Sequence, residues 1–200
     1  MRSVQAAGGA PLSDQTDAGT AGGAVRARRI ALLGVVAVLV YALDLVTKTL
    51  VVTFLEGEEP VEVIPDVLLL NVIRNSGAAF SIGTGMTIVF TVIALGVVGA
   101  ILRTARQLRS LPWAITLGLL LGGALGNLTD RIFRAPAPLQ GHVVDFLQVF
   151  PATRFPVFNL ADSAIVCGGI LAVLLAWRGY QVDGTRQTGD EQTGEEKSNG

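Results

Sequence analysis

Four stretches of this chain, at about residues 30–53, 86–105, 112–131 and 158–177, are long and predominantly apolar. A hydrocarbon core of roughly 30 Å takes about 20 helical residues to cross. A backbone within lipid must satisfy its own hydrogen bonds, so such segments can only be helices. The fold class expected is therefore all-α integral membrane, with four transmembrane helices and the remaining structure outside the core. Half of the 200 residues are hydrophobic and 16% are charged, too apolar a balance for an ordinary soluble domain. A net charge of −1 gives no basic field for nucleic acid. The single cysteine, Cys167, lies inside an apolar run and reads as a small apolar side chain. Residues 26–42 could be read as a cleaved leader ending at Ala42, but the apolar pattern continues past Asp44 to Val52.

The segments around these spans set topology. Residues 1–27 and 181–200 are small, polar and poor in apolar side chains, and both tails are expected to be disordered. The domain between them is expected over 28–178. Arg26, Arg28 and Arg29 precede the first span, Arg103, Arg106 and Arg109 separate the second from the third, and Arg178 follows the fourth. Positive residues are retained in the cytoplasm, which places both termini there. The two loops on the other side have short runs typical of strands: "VEVIPDVLLLNVIRN" is broken by Pro65, and "HVVDFL" follows the proline-rich "RAPAPLQ". Together they predict a small extracytoplasmic sheet, with Phe146, Leu147 and Phe150 dipping into the interface.

Polar residues inside the spans then converge on one depth. At 1.5 Å per residue, Asp44 stands about 21 Å above Ile30 and Asn127 about 22 Å above Pro112, while Asp162 lies about 6 Å below Phe158. All three fall in the outer third of the bilayer. Asp130 and Arg131 end the third span, and Asp145 arrives from the adjacent loop. Charges at such depth are costly and normally mark a functional site. The structural alternative is simple pairing, Asp44 with Lys48 at i, i+4 and Asp130 with an arginine. Gly118, Gly122 and Gly126 recur every four residues below this cluster, a groove into which another helix can pack closely.

Residue types narrow the chemistry. The one histidine, His142, cannot build a zinc-protease pattern and reads as a loop residue, so no metal or other cofactor is expected. No G-x-S-x-G motif is present and Ser163 has no obvious base, which leaves only a Ser-Lys arrangement of Lys48 with Ser76 or Ser81 as a serine alternative. A carrier or proton path built on intramembrane carboxylates would need polar groups reaching both leaflets. Two carboxylates around one water suffice for peptide hydrolysis, because like charges in proximity share a proton. Spacing alone does not choose the pair among Asp44, Asp130, Asp145 and Asp162.

The blocks "DLVTK" (44–48), "NSGAAFSI" (75–82), "GGALGNLTDRI" (122–132), "GHVVDFL" (141–147) and "FPVFNLADSAI" (155–165) resemble, in order, the signature blocks of the lipoprotein signal peptidase (signal peptidase II) family. The resemblance covers about residues 28–178. It implies an intramembrane aspartic endopeptidase of the bacterial cytoplasmic membrane that cuts prolipoproteins before a diacylglyceryl-modified cysteine, with a small β-cradle over its site. Its catalytic aspartates correspond to Asp145 and Asp162. Asn127, Asp130 and Arg131 match the block that supports substrate and the acids, Arg131 through a forked set of hydrogen bonds, and Asn75 matches the polar residue of the outer loop. Asn159 would brace the pair, Ala161 would leave room beside it, and Asp44 with Lys48 would be structural. Gly77, Ala78 and Ala79 suggest a tight pocket for small residues before the cysteine. The partners implied are lipidated prolipoproteins and membrane lipids, and a monomer is expected. "RAPAPLQ" (134–140) lengthens one link relative to the family pattern.

Overall fold

The computed structural model describes residues 12–77, 85–153 and 155–187, the side chains of 12–21, 85 and 86 excepted. The chain runs α1 (Leu12–Leu55), β1 (Val61–Ile64), β2 (Leu68–Asn75), α2 (Gly85–Ala105), α3 (Leu111–Phe133), β3 (Val143–Val149) and α4 (Leu160–Trp177). All four helices are long and apolar enough to cross a membrane. Both loops supply strands, and they join in one antiparallel sheet of order β1-β2-β3. Two boundaries differ from the sequence reading. The first helix begins at Leu12, so residues 12–27, expected as disordered, are helical. Once the apolar span is helical, each further residue adds a hydrogen bond without a second nucleation cost. The segment 181–187 is likewise structured, and residues 1–11 and 188–200 lie outside the described ones.

Helix α3 is the central one, buried on the faces it turns to its neighbours. The glycine groove explains its contact with α1. A Cβ at Gly118 would stand 2.7 Å from Val36 Cβ, and one at Gly122 would stand 2.7 Å from the Ala37 carbonyl oxygen. On another face, a Cβ at Gly123 would lie 2.5 Å from the Ala161 carbonyl oxygen of α4. Absent side chains thus let both helices close on α3, as small residues do in membrane bundles. Leu33, Ala37, Ile101, Leu108, Ala114, Leu117 and Leu121 form the core below the polar level. Outward residues such as Val38, Val92 and Val173 are more than half exposed, which suits contact with lipid.

The α2–α3 turn meets α1 and the segment after α4 at one end of the bundle, where Arg29 Nε donates to the Arg109 carbonyl at 3.3 Å. Val182 accepts from the Arg109 and Ser110 amides at 3.0 and 3.1 Å, and Trp113 Nε1 donates to the Tyr180 carbonyl at 2.9 Å. Val182, from the segment after α4, packs against the core together with Leu108 of the turn, and its backbone bonds are not visible in composition.

At the opposite end the sheet sits over α1, α3 and α4. Leu70 pairs with Leu147 but Ile73 with Asp145, so β2 holds one extra residue between them. Side chains alternate along a strand, so this bulge turns Ile73 and Asn75 to the face of Asp145 and Arg74 to the other. Arg74 there forks onto Glu56 at 2.6 and 2.7 Å. Phe146, expected at the interface, is instead buried against Val51 and Val144, whereas Phe150 is exposed. The chain entering α4 is tied to β3: Phe158 donates to the Leu147 carbonyl at 3.0 Å, and its own carbonyl accepts from Leu147 at 2.8 Å. That tie sets the first turn of α4 beside Asp145.

Candidate active site

Asn159 caps α4. Its side-chain oxygen accepts from the Asp162 amide at 2.9 Å, and its own amide donates to Asp162 Oδ2 at 3.2 Å. This reciprocal box satisfies donors that the first helical turn would leave unpaired. A carboxylate four residues into the apolar segment is therefore at a cap position, where the helix dipole also favours it. One oxygen remains for other work, and Asp162 Oδ1 accepts from Asn127 Nδ2 at 2.7 Å.

Asp145 arrives from the sheet with almost no exposed surface. Asn159 Nδ2 donates to its Oδ1 at 2.7 Å, and Asn75 Nδ2 donates to its Oδ2 at 2.7 Å. Asn75 is itself held, because its oxygen accepts from the Gly77 amide at 2.8 Å. Gly77 has φ +89, and a Cβ there would lie 2.7 Å from Phe90 Cδ2, so glycine is required twice over. One asparagine thus contacts both carboxylates, and every carboxylate oxygen of the pair receives an amide N–H. Burial pushes the Asp145 carboxyl up to about 6; the Asp162 charge adds to that rise, and the amides of Asn75 and Asn159 oppose it.

The other two acids are occupied differently. Lys48, fully buried, lies 2.7 Å from Asp44 Oδ2, 3.0 Å from Asp130 Oδ2 and 2.9 Å from Asn127 Oδ1. Asp130 also pairs with Arg134 Nε and accepts from the Val144 amide at 3.2 Å, which fastens α3 to β3 one residue before Asp145. Asp44 Oδ1 accepts from the Ala161 amide at 2.9 Å, a second tie at the start of α4. Cations therefore pair with Asp44 and Asp130, whereas among the described residues neither Asp145 nor Asp162 has a salt bridge. This separates the four acids that spacing could not.

The sequence candidates come together with some changes of role. Ala161 is fully buried and serves the α3 contact and the Asp44 bond as well as space. Arg131 does not fork onto either aspartate; its guanidinium lies 5.4 Å from the Phe90 ring centroid, and its Nη1 is buried without a hydrogen-bond partner among the described residues. Both residues help line a mostly apolar cavity of about 240 Å³ between α2, α3 and α4, which also reaches Asn127. Phe90 carried no sequence signal, since it is one apolar residue among many in α2. Arg134 is the arginine that the sequence left unspecified for Asp130, and it was legible as the i+4 neighbour. Against the Ser-Lys alternative with Ser76 or Ser81, Lys48 is already engaged by Asp44, Asp130 and Asn127; Ser163, a separate candidate, donates its Oγ to the Asn159 carbonyl at 3.0 Å. Ala78, Ala79 and Ser81 lie outside the described residues. His142 is half-buried beside Arg74 and Arg134 on a separate outer cleft.

Four helices apolar enough to cross a membrane, gathered under a small sheet around buried polar side chains, define the chain as a multi-pass membrane protein. Residues 36–178 match the family model described as signal peptidase (SPase) II. The chain is 61% identical over 158 residues to the lipoprotein signal peptidase of Streptomyces coelicolor, covering 79% of this chain and 76% of that one. It is 49% identical over 176 residues to the lipoprotein signal peptidase of Mycobacterium tuberculosis, covering 86% of each. A bacterial membrane enzyme solved by the in meso method at 1.9 Å resolution superposes with TM-score 0.63 at 34% identity, over 71% of this chain and 90% of that one. The chain belongs to the signal peptidase II family and is a membrane peptidase.

Proposed function

We propose that the protein is an aspartic endopeptidase that removes signal peptides from bacterial prolipoproteins, cutting before the diacylglyceryl-modified cysteine. The observation that carries the reading is the bridge of Asp145 and Asp162 by Asn159, with neither acid spent on a cation. Asp145, pushed up to about 6, holds the shared proton. Its partner takes a proton from water as the water oxygen attacks the scissile carbonyl carbon, and Asp145 gives its proton to the carbonyl oxygen. Collapse of the resulting diol breaks the C–N bond as Asp145 takes back one diol proton and the proton on the partner passes to the leaving amine, which restores the pair.

The surroundings fit such a substrate. A precursor carrying an apolar signal helix and a diacylglyceryl group is already confined to the bilayer. The cavity along α2, α3 and α4 is apolar, and its one charged group, Arg131, has a buried Nη1 donor to offer a backbone carbonyl. The arginines at the α2–α3 turn's end of the bundle favour the orientation with both termini cytoplasmic and the sheet with its aspartates at the outer leaflet. Purified protein in detergent, given a diacylated precursor peptide, should release the signal fragment, and the same peptide without lipid should be cut poorly. Equal cleavage of both peptides, or of neither, would refute the assignment.

A further inference from the structure

We infer that Lys48 is a positioning residue for the reaction: it fixes the side-chain amide of Asn127 so that the NH2 group faces Asp162. An asparagine amide has a donor end and an acceptor end of nearly equal shape, and only its neighbours decide which way it points. An ammonium group can only donate. Lys48 Nζ lies 2.9 Å from the Asn127 side chain, so the atom facing it must be the oxygen, and Nδ2 is left 2.7 Å from Asp162 Oδ1. Asn159 Nδ2 donates to the same Asn127 oxygen at 3.2 Å and reinforces the choice. Lys48 itself cannot drift, because ion pairs with Asp44 and Asp130 at 2.7 and 3.0 Å flank its ammonium group and the side chain is fully buried.

A purely structural ion pair of Asp44 with Lys48 would not require the third contact. Without Lys48, Asn127 could turn its oxygen toward Asp162, setting two acceptors against each other and removing a donor from the reacting carboxylate. The inference rests on the two-aspartate reading above, and the experiment is built to separate them.

Removing Lys48 alone would leave Asp44 and Asp130 short of a buried cation, a change that can unfold the protein by itself. The test therefore uses an Asp44→Asn background, in which the remaining amide oxygen can still accept from the Ala161 N–H. Cleavage of a diacylated precursor is measured per folded molecule for Asp44→Asn, and for Asp44→Asn with Lys48→Met, with Asn127→Leu, and with both. The expected result is a fall in kcat of about 10- to 100-fold for Lys48→Met, the scale of one charge-assisted hydrogen bond, with KM little changed. Asn127→Leu should cost a similar factor, and the combination should be no worse than Asn127→Leu alone, because the lysine acts through the amide. Multiplying losses, or a Lys48→Met effect confined to KM or to stability, would overturn the inference. If Asp162→Asn alone retains cleavage, the dyad falls and the inference with it. If Asp162→Asn is inactive and the losses multiply, the inference fails alone.

Discussion

Substitution of Asn159 separates the two tasks that its side chain performs. Asn159→Ala removes the cap bond to the Asp162 amide, worth about 1 kcal/mol. It also removes the 2.7 Å bond from Nδ2 to Asp145, worth about 1.5–3 kcal/mol when the acceptor is charged. The weak 3.2 Å bond to Asn127 adds little, and the backbone bond from residue 159 to Asp162 Oδ2 survives. The expected loss of stability is about 2.5–4 kcal/mol. Asn159→Ser keeps an oxygen at the cap but offers no amide donor to Asp145, so it should recover about 1 kcal/mol of stability and none of the activity. Both variants should lose about 10- to 100-fold in kcat, since 1.4 kcal/mol is a factor of ten. Equilibrium unfolding in mixed micelles and cleavage of a lipidated precursor measure the two quantities. Wild-type turnover in Asn159→Ala, or serine restoring activity together with stability, would refute the reasoning.

Three further outcomes are expected. A methyl at Gly126 would overlap Asp44 Oδ2 and lie 3.2 Å from Ala161 Cβ, so Gly126→Ala should destabilise by about 1–3 kcal/mol, whereas Gly96→Ala, with open space around it, should not; unfolding measurements on both decide. A carboxyl at about 6 is protonated below that pH and ionised above it, so kcat/KM should fall as pH rises through that region. Asn75→Ala removes an amide that holds Asp145 down and should move this limb to higher pH; an unmoved limb would contradict the role given to Asp145. Cleavage should persist in chelator, because the converging groups are carboxylates already bound by amides; loss restored by zinc would overturn the proposed chemistry.

Much of this arrangement was legible before any coordinates. Helix spans follow from apolar length, since lipid leaves the backbone no other partner, and the glycine period of α3 already implied a close neighbour. The strands were legible in outline from β-branched runs, but not the bulge between Leu70 and Ile73, because pairing register depends on the partner strand. That unread detail decides that Asn75 rather than Arg74 meets Asp145. The choice among the four acids also needed three dimensions, because Lys48 draws Asp130 as well as its i+4 neighbour Asp44. The docked turn at Val182 was illegible for a different reason: its bonds come from backbone carbonyls, which composition does not report.

The proposed dyad is tested most directly by Asp145→Asn, Asp162→Asn and the double variant, with Asp66→Asn as control. Asp66 sits in the β1–β2 turn at φ 60, a conformation that asparagine tolerates well. An asparagine cannot accept at both of its side-chain atoms, so each dyad variant faces an amide donor with a donor and should lose some stability. Turnover of a diacylated precursor must therefore be scored per folded molecule. Each single variant is expected to lose about a hundred- to ten-thousandfold, the double variant to be little worse than either, and Asp66→Asn to cleave normally. Substantial turnover by folded Asp162→Asn or Asp145→Asn would make that residue a structural acid and contradict the mechanism.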